Sequence, residues 1–273
     1  EAFTSVWPAD GETPPLELVG FDICLMATLD VASTFADISH YLVGSEEVEP
    51  ANGWYYSQWL KALAEDPSMD GAALGKVICD TYYEGCQIVG TEQNVTLSLT
   101  DLTKVEPLLE AYDTFGGEIL AAVCEDPGIF SEFARAAYAS ENYGGNTKEQ
   151  GYSNMVDLGD LARQSSGLLA SAQPVLEALS DCVLYQVGGP YRAQASGLSC
   201  YYPYNGDLDD FNGYAKLGTG SSFKYYYGYG LTGELDEAVG AYLGSLNLEQ
   251  LPEIKNLSTA GWDGASLDVD SEG

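Results

Sequence analysis

Residues 16–44 read LELVGFDICLMATLDVASTFADISHYLVG, and this stretch decides the fold class. Residues 16–23 are apolar on both faces, which predicts a buried strand of a parallel sheet. Residues 28–39 carry apolar side chains near a 3.6-residue period, which predicts a helix with Thr28 as its N-cap. Residues 41–44 form a second short apolar strand. Strand, helix and strand make one βαβ unit, so we expect an α/β fold with a mainly parallel central sheet.

The rest of the chain extends this pattern. The periodicities predict further helices at 55–65, 71–85, 103–140, 157–179 and 234–246, and further strands at 94–99, 183–187 and 198–202. The stretch 103–140 is expected to break at Gly116-Gly117 and at Pro127-Gly128. We expect a core domain over residues 1–206 and a small C-terminal subdomain with an acidic tail over residues 207–273.

The charge of the chain is strongly one-sided. It has 42 acidic and 10 basic residues, a net charge of -32. Nucleic acid and anionic membranes are therefore excluded as partners, because both require clustered Lys and Arg. Basic ligands are attracted. The same acidity is equally compatible with a charge that only keeps an exported protein in solution.

The six cysteines form no CxxC pair and no zinc-type spacing. Cys79 with Cys86, and Cys182 with Cys200, are the pairs that could form a disulfide. Isolated buried thiols are favoured over both pairings.

Polar residues end the first two predicted strands. Asp22 and Cys24 close the first, and Ser45, Glu46 and Glu47 close the second. Ligands bind beyond the carboxyl ends of strands in such sheets, so these residues are expected to meet. Cys24 precedes a predicted helix N-terminus, which favours a thiolate and therefore a nucleophile. The alternative is that Cys24 is a small buried apolar residue.

A nucleophilic cysteine needs a base, and His40 is the one histidine. It follows the predicted crossover helix and is expected near the start of the second strand, far from Cys24. A histidine base is therefore expected to lie outside these 273 residues.

Residues 20–54, GFDICLMATLDVASTFADISHYLVGSEEVEPANGW, closely resemble the clostripain-like cysteine peptidases (peptidase family C11, clan CD). The match covers F-D-x-C-L-M-A and the later Y-L-V-x-S-E-E-x-x-P-x-x-G-W. Residues 154–158 (NMVDL) and 197–203 (GLSCYYP) extend the resemblance. It implies a caspase-like three-layer fold whose N-terminal strands are absent from this chain. It also implies a cysteine endopeptidase that uses a Cys-His dyad and cleaves after Arg, or also after Lys.

The resemblance also implies roles for individual residues. Cys24 is the nucleophile, and Asp22 pairs with the basic side chain of the substrate. The substrate pocket is completed by Ser45, Glu46, Glu47, Asn52 and Trp54. Relatives can have Asp at the position of Asn52, so a neutral residue there puts a strict preference for Arg in doubt.

Further expectations concern partners and location. The dyad histidine is expected on an upstream segment or on a light chain separated by autoprocessing, with this chain as the heavy chain. A peptide or protein with a basic residue before the scissile bond is the expected substrate. A secreted or cell-surface location in bacteria is implied. The sequence itself requires no cofactor, although some relatives depend on calcium and the acidic loop at 206–210 offers oxygen ligands.

Two other functions are compatible with the same sequence. One is a catalytically silent caspase-like module that binds basic partners through its acidic face. The other is an extracellular structural or adhesive domain. Asp22 and Cys24, which have the spacing of the peptidase motif, favour the peptidase over both alternatives.

Overall fold

A computed structural model describes residues 14–233. The central sheet contains four strands in the order β1 (Leu16–Gly20), β2 (Ser39–Gly44), β3 (Thr96–Asp101) and β8 (Val183–Gly188). β1 and β2 are parallel, with Leu16 opposite Ser39. β3 is antiparallel to both of its neighbours, so the other three strands point the same way. The expected α/β class is confirmed, with a mixed sheet in which one strand is reversed.

The βαβ unit forms as expected, but its elements are shorter. Helix α1 (Leu29–Phe35) connects β1 to β2, and the Thr28 hydroxyl caps it by accepting from the Val31 N–H at 3.0 Å. The predicted strand and helix both extended too far along the chain. Apolar residues continue past β1 for other reasons: Phe21 packs edge-on against Phe35, and Ile23 is 56% exposed.

One face of the sheet is covered by α2 (Tyr56–Glu65) and α3 (Gly71–Val89). Val43, Leu97 and Leu99 project from the sheet toward this layer. A Cβ atom on Gly75 would stand 2.4 Å from the Leu99 side chain, so only glycine allows α3 to approach this closely. The apolar core on this face is small and separate from the one on the other face.

The opposite face carries the larger core. It is built around α1, α4 (Val105–Glu125) and α7 (Ala172–Cys182), with α5 (Ile129–Ala139) and α6 (Leu158–Ser165) packed outside them. Leu42 faces this layer while its neighbour Val43 faces the other, as the alternation of a strand requires. The three-layer arrangement is thereby confirmed.

The long helical stretch breaks once rather than twice. The chain breaks between α4 and α5, where the Asp126 carboxylate accepts from the Gly128 N–H at 2.9 Å. α4 continues through Gly116 because Phe223 packs closely against this glycine. A Cβ atom added to Gly116 would lie 2.7 Å from the Phe223 ring. A helical glycine costs only about 1 kcal/mol, so packing outweighs it.

Short strands build a second sheet beside the first. β7 (Met155–Asp157) lies between β4 (Asn142–Tyr143) and β9 (Ser199–Tyr201) and is antiparallel to both, and β5 (Asn146–Thr147) pairs with β6 (Gly151–Tyr152) in a hairpin. A bridge between Thr28 and Ser199 connects β9 to the loop after β1. The second sheet therefore contacts the loop that contains Cys24.

The expected boundary at residue 207 does not separate two cores. α8 (Leu208–Tyr214) and α9 (Ser221–Thr232) contribute Phe211, Tyr214 and Phe223 to the large core. The described part of the expected subdomain thus shares the large core, and the division into two domains stays a prediction. The helix predicted at 234–246 and the acidic tail lie outside the described residues.

All six cysteines are free thiols in this structure. No helix within residues 14–233 combines the length and the hydrophobicity that spanning a membrane requires.

Candidate active site

Cys24 lies in a turn beyond the carboxyl end of β1 and is half-buried. Its sulfur accepts a hydrogen bond from the Glu49 N–H at 3.3 Å. The next residue, Leu25, has φ of 61°, an uncommon conformation for a residue other than glycine. Leu25 is held there by its N–H, which donates to the Glu47 carbonyl at 3.3 Å. The thiol is therefore presented on a fixed turn instead of a strand face.

Asp22 lies in the same loop, two residues before the thiol, and is exposed. Its carboxylate accepts from the Trp54 backbone N–H at 3.1 Å. Gly53 has φ of 59°, and a Cβ atom on it would stand 3.0 Å from both Asp22 carboxylate oxygens. Only glycine combines this backbone with room for the carboxylate. Because β1 ends at Gly20, Asp22 lies in the loop and not in the strand that the sequence predicted over residues 16–23.

Trp54 connects Asp22 to a second acid. Its indole N–H donates to Glu49 Oε1 at 3.4 Å, while its backbone N–H binds Asp22. Burial raises the pKa of Glu49 to about 8, and a hydrogen bond with Asp22 contributes. Trp54 itself is buried, with 7% exposed. Sequence reasoning named Trp54 but did not single out Glu49, whose only signal was its acidity within the same loop.

Asn52 turns away from the thiol. Its amide nitrogen donates to the Gly53 carbonyl at 3.1 Å, and its amide oxygen accepts from Thr91 at 3.3 Å. The amide nitrogen also lies 3.8 Å from the Cys86 sulfur on α3. A direct contact of Asn52 with substrate stays a prediction.

Ser45, Glu46 and Glu47 are each at most 5% exposed. Their backbone contacts the nucleophile loop, since the Ala27 N–H donates to the Ser45 carbonyl at 2.9 Å. Their side chains point into the protein, so the geometry does not support the expectation that they line the wall of a substrate pocket. They position Cys24 through the main chain.

Thr96 fixes this segment and was missed by sequence reasoning. Its hydroxyl oxygen accepts from the N–H groups of Glu46 and Glu47, each at 3.0 Å, and lies 3.0 Å from the Ser45 hydroxyl. Thr96 belongs to β3, about 50 residues further along the chain. A lone threonine in a strand gives no sequence signal of such a role.

Glu46 is part of a buried acid pair with Asp157. Burial first, and the negative charge of Asp157 next, raise the pKa of Glu46 well above its ordinary value. The Asp157 carboxylate of the pair accepts from the Tyr143 hydroxyl at 2.8 Å and from the Ser196 N–H at 2.7 Å. The family-like segments at 154–158 and 197–203 thus meet residues 45–47 through this pair.

Glu47 is paired with a cation. Its carboxylate forms an ion pair with Arg192 and also accepts from the Gly144 N–H at 2.9 Å. Arg192 reaches Glu141 at 3.5 Å. Glu47 therefore has its cationic partner inside the protein, and a contact of Glu47 with substrate stays a prediction.

An open groove of about 490 Å³ begins beside Leu25. Its lining includes Thr28, Tyr152, Met155 and Tyr214. The groove thus includes the residue that follows Cys24, and it is large enough for several side chains of a peptide.

His40 lies in β2, next to the first residues of β1 in the parallel register. Cys24 follows the last residue of β1, at the other end of the sheet. His40 therefore cannot serve as the base of Cys24, as expected from the sequence.

The three-layer fold and the cysteine beyond its first strand define the caspase-like class of α/β proteins. The model of the clostripain family matches residues 8–225, and the chain belongs to that family of cysteine peptidases. No curated protein matches the sequence significantly.

Solved structures with the same fold are distant in sequence. A cysteine protease of B. fragilis is 19% identical with a TM-score of 0.59, covering 79% of this chain and 89% of its own. A clostripain from Bacteroides thetaiotaomicron, solved with a peptide inhibitor, is 18% identical with a TM-score of 0.57 and covers 77% and 88%. An inactive zymogen of a C11 protease from Parabacteroides distasonis is 18% identical with a TM-score of 0.59 and covers 76% and 58%.

Proposed function

We propose that this chain carries the nucleophile of a cysteine endopeptidase that cleaves after basic residues. The observation that carries the proposal is the fixed placement of the Cys24 thiol and the Asp22 carboxylate in one loop beyond β1. An anchored carboxylate near a nucleophile is suited to bind the guanidinium of Arg or the ammonium of Lys. Membership of the clostripain family and the groove beside Leu25 support it.

The reaction follows from a thiol held in this way. A histidine base removes the proton from Cys24, and the thiolate attacks the carbonyl carbon of the scissile bond. The amine leaves with a proton from the histidine, and water then hydrolyses the thioester. The Cys24 N–H is the proposed oxyanion donor in this chain.

The base is proposed to come from a segment upstream or from a light chain. Among the described residues, β1 pairs with β2 on one side and with no strand on the other. A strand added along that free edge would end near Cys24 if it ran parallel to β1. A histidine after such a strand would be close enough to accept the thiol proton.

Calcium stays a prediction. In the loop at 206–210, Asp207 caps α8 by accepting from the N–H groups of Asp209 and Asp210, at 2.8 Å and 3.1 Å. Asp210 also accepts from Asn205 at 2.8 Å. Within residues 14–233, no three acidic, cysteine or histidine side chains come together as a metal site. A secreted or cell-surface location also remains a proposal.

The test is covalent labelling of the full-length protein with a peptide chloromethyl ketone that ends in Arg. We expect mass spectrometry to find the adduct on Cys24, and much slower labelling by the same peptide ending in Glu. Cys124→Ala is the matched control, since Cys124 is a half-buried thiol on α4, and this variant should label like the wild type. Cys24→Ala should not label. A full-length protein that binds basic partners without labelling at Cys24 would instead be the silent binding module.

A further inference from the structure

Glu49 contacts both parts of the candidate active site. Its N–H donates to the Cys24 sulfur at 3.3 Å, and its carbonyl oxygen lies 4.0 Å from that sulfur. Its side chain runs back to Trp54, whose indole N–H it accepts at 3.4 Å. Since the Trp54 backbone N–H binds Asp22, the carboxyl groups of Glu49 and Asp22 are both held by Trp54.

The second oxygen of Glu49 is not satisfied. Oε2 is buried and accepts no hydrogen bond from any donor in residues 14–233. An unpaired buried carboxylate is costly, so the Glu49 carboxyl group favours its protonated form. The pKa of Glu49, raised to about 8 by burial and by Asp22, agrees with this geometry.

The other titratable groups that face Glu49 cannot balance the negative charge of its carboxylate. They are Asp22 after β1, Tyr56 at the start of α2, Tyr82 on α3 and the Cys24 thiol. All of them become negative when they ionise, so the Glu49 carboxylate is matched by no cation among the described residues that face it. A cation from outside would be the missing partner.

We propose, on the basis of the proposed function, that Glu49 and Asp22 together form the receptor for the basic side chain that precedes the scissile bond. Asn52, which lies in the same loop, is neutral and hydrogen-bonded to Gly53 and Thr91. Glu49 therefore supplies the second negative charge of the pocket from a different position in the same loop. It is a specificity-determining residue and takes no part in bond cleavage.

Occupation of this receptor releases a proton. In the empty pocket Glu49 is protonated; when a guanidinium enters, the Glu49 carboxyl loses its proton to solvent and the carboxylate pairs with the cation. Binding of the cation is therefore tighter at pH 8 than at pH 6, because less work is needed to remove the proton. A residue that only orients Trp54 would not produce this dependence.

The test measures binding of propylguanidine, which is the arginine side chain without its backbone, to the full-length protein by calorimetry. We expect the wild type to bind more tightly at pH 8 than at pH 6. Glu49→Gln keeps an acceptor for Trp54 but should bind roughly tenfold more weakly at pH 8 and show no difference between the two pH values. Glu84→Gln removes the same charge from an exposed position on α3 and should bind like the wild type.

Equal affinity of wild type and Glu49→Gln at pH 8 would overturn the inference, and so would a wild type that does not bind propylguanidine. Glu49→Asp, which keeps the charge, should retain the pH dependence if the receptor is electrostatic. Because binding is measured without turnover, the result separates the two proposals. A protein that binds the cation through Glu49 but does not react at Cys24 would refute the peptidase and leave the receptor. A protein that reacts at Cys24 independently of Glu49 would support the peptidase and refute the receptor.

Discussion

The Arg192 guanidinium forms an ion pair with the Glu47 carboxylate, although the two residues are 145 positions apart in the sequence. Both side chains are largely buried, with 22% and 7% exposed. The pair fastens the loop after β8 to the segment that holds the nucleophile turn. The geometry of the candidate site therefore depends on a contact between residues that are far apart in the sequence.

Arg192→Met should destabilise the protein by about 3 kcal/mol, because it leaves the Glu47 carboxylate buried without its cation. The measurement is the free energy of unfolding in urea. Lys61→Gln is the control: it breaks the exposed pair with Glu65, and a change within about 0.5 kcal/mol is expected. A small effect of Arg192→Met would mean that Gly144 and other donors suffice for Glu47.

Glu46→Gln should stabilise the protein increasingly as the pH rises. The pKa of Glu46 is raised in the folded state, so the folded protein holds a proton that the unfolded chain has released. The stabilisation that protonated Glu46 gives the wild type is fully present below the pKa of Glu46 in the unfolded chain. It is lost as the pH rises through the pKa of Glu46 in the folded protein. The amide cannot ionise and can still donate to Asp157. The measurement is the melting temperature of both proteins at pH 5 and at pH 8. The difference in melting temperature between variant and wild type should be larger at pH 8.

The control is Glu177→Gln, which removes an exposed carboxylate from α7 and should give the same small difference at both pH values. If Glu46→Gln were equally or less favourable at pH 8 than at pH 5, Glu46 would have to be ionised in the folded protein.

What the sequence could predict was local. The βαβ unit and the Thr28 cap follow from periodicity and from one capping residue, so both were confirmed. The end of β1 could not be predicted. Its apolar pattern continues because Phe21 packs on Phe35, and the positive φ of Leu25 becomes visible only in three dimensions.

The interior of the candidate site was also beyond the sequence. Ser45, Glu46 and Glu47 end a strand, which made them resemble a pocket wall. Their side chains are buried because the Thr96 hydroxyl binds Ser45, the Gly197 N–H binds Glu46 and Arg192 binds Glu47. These partners lie 51, 151 and 145 positions away. Polar residues that end a strand can face a ligand or the core, and only the distant partners decide which.

Thr96→Val should loosen the segment that holds the nucleophile. The methyl group that replaces the hydroxyl leaves the Glu46 N–H buried without an acceptor, while the Glu47 N–H keeps the Ser45 hydroxyl at 3.1 Å, so the cost is about 1 to 3 kcal/mol. Unfolding in urea measures this loss. Thr96→Ser keeps the oxygen and should restore most of the stability. Equal losses in both variants would show that the methyl group, and not the hydrogen bonds, matters.

Asp22→Asn should separate binding of the basic side chain from reactivity of the thiol. The amide oxygen can still accept from the Trp54 N–H, so the loop keeps its shape, but the negative charge is lost. We expect kcat/KM for a substrate with Arg before the scissile bond to fall roughly 100-fold, as the loss of a charge-assisted bidentate contact implies. Alkylation of Cys24 by iodoacetamide, which carries no charge, should proceed at the wild-type rate. Asp80→Asn makes the same charge change on α3, where Asp80 pairs with Lys76, and should leave both quantities unchanged. If Asp22→Asn slowed alkylation as much as hydrolysis, Asp22 would act on the thiol and its assignment to the substrate pocket would be wrong.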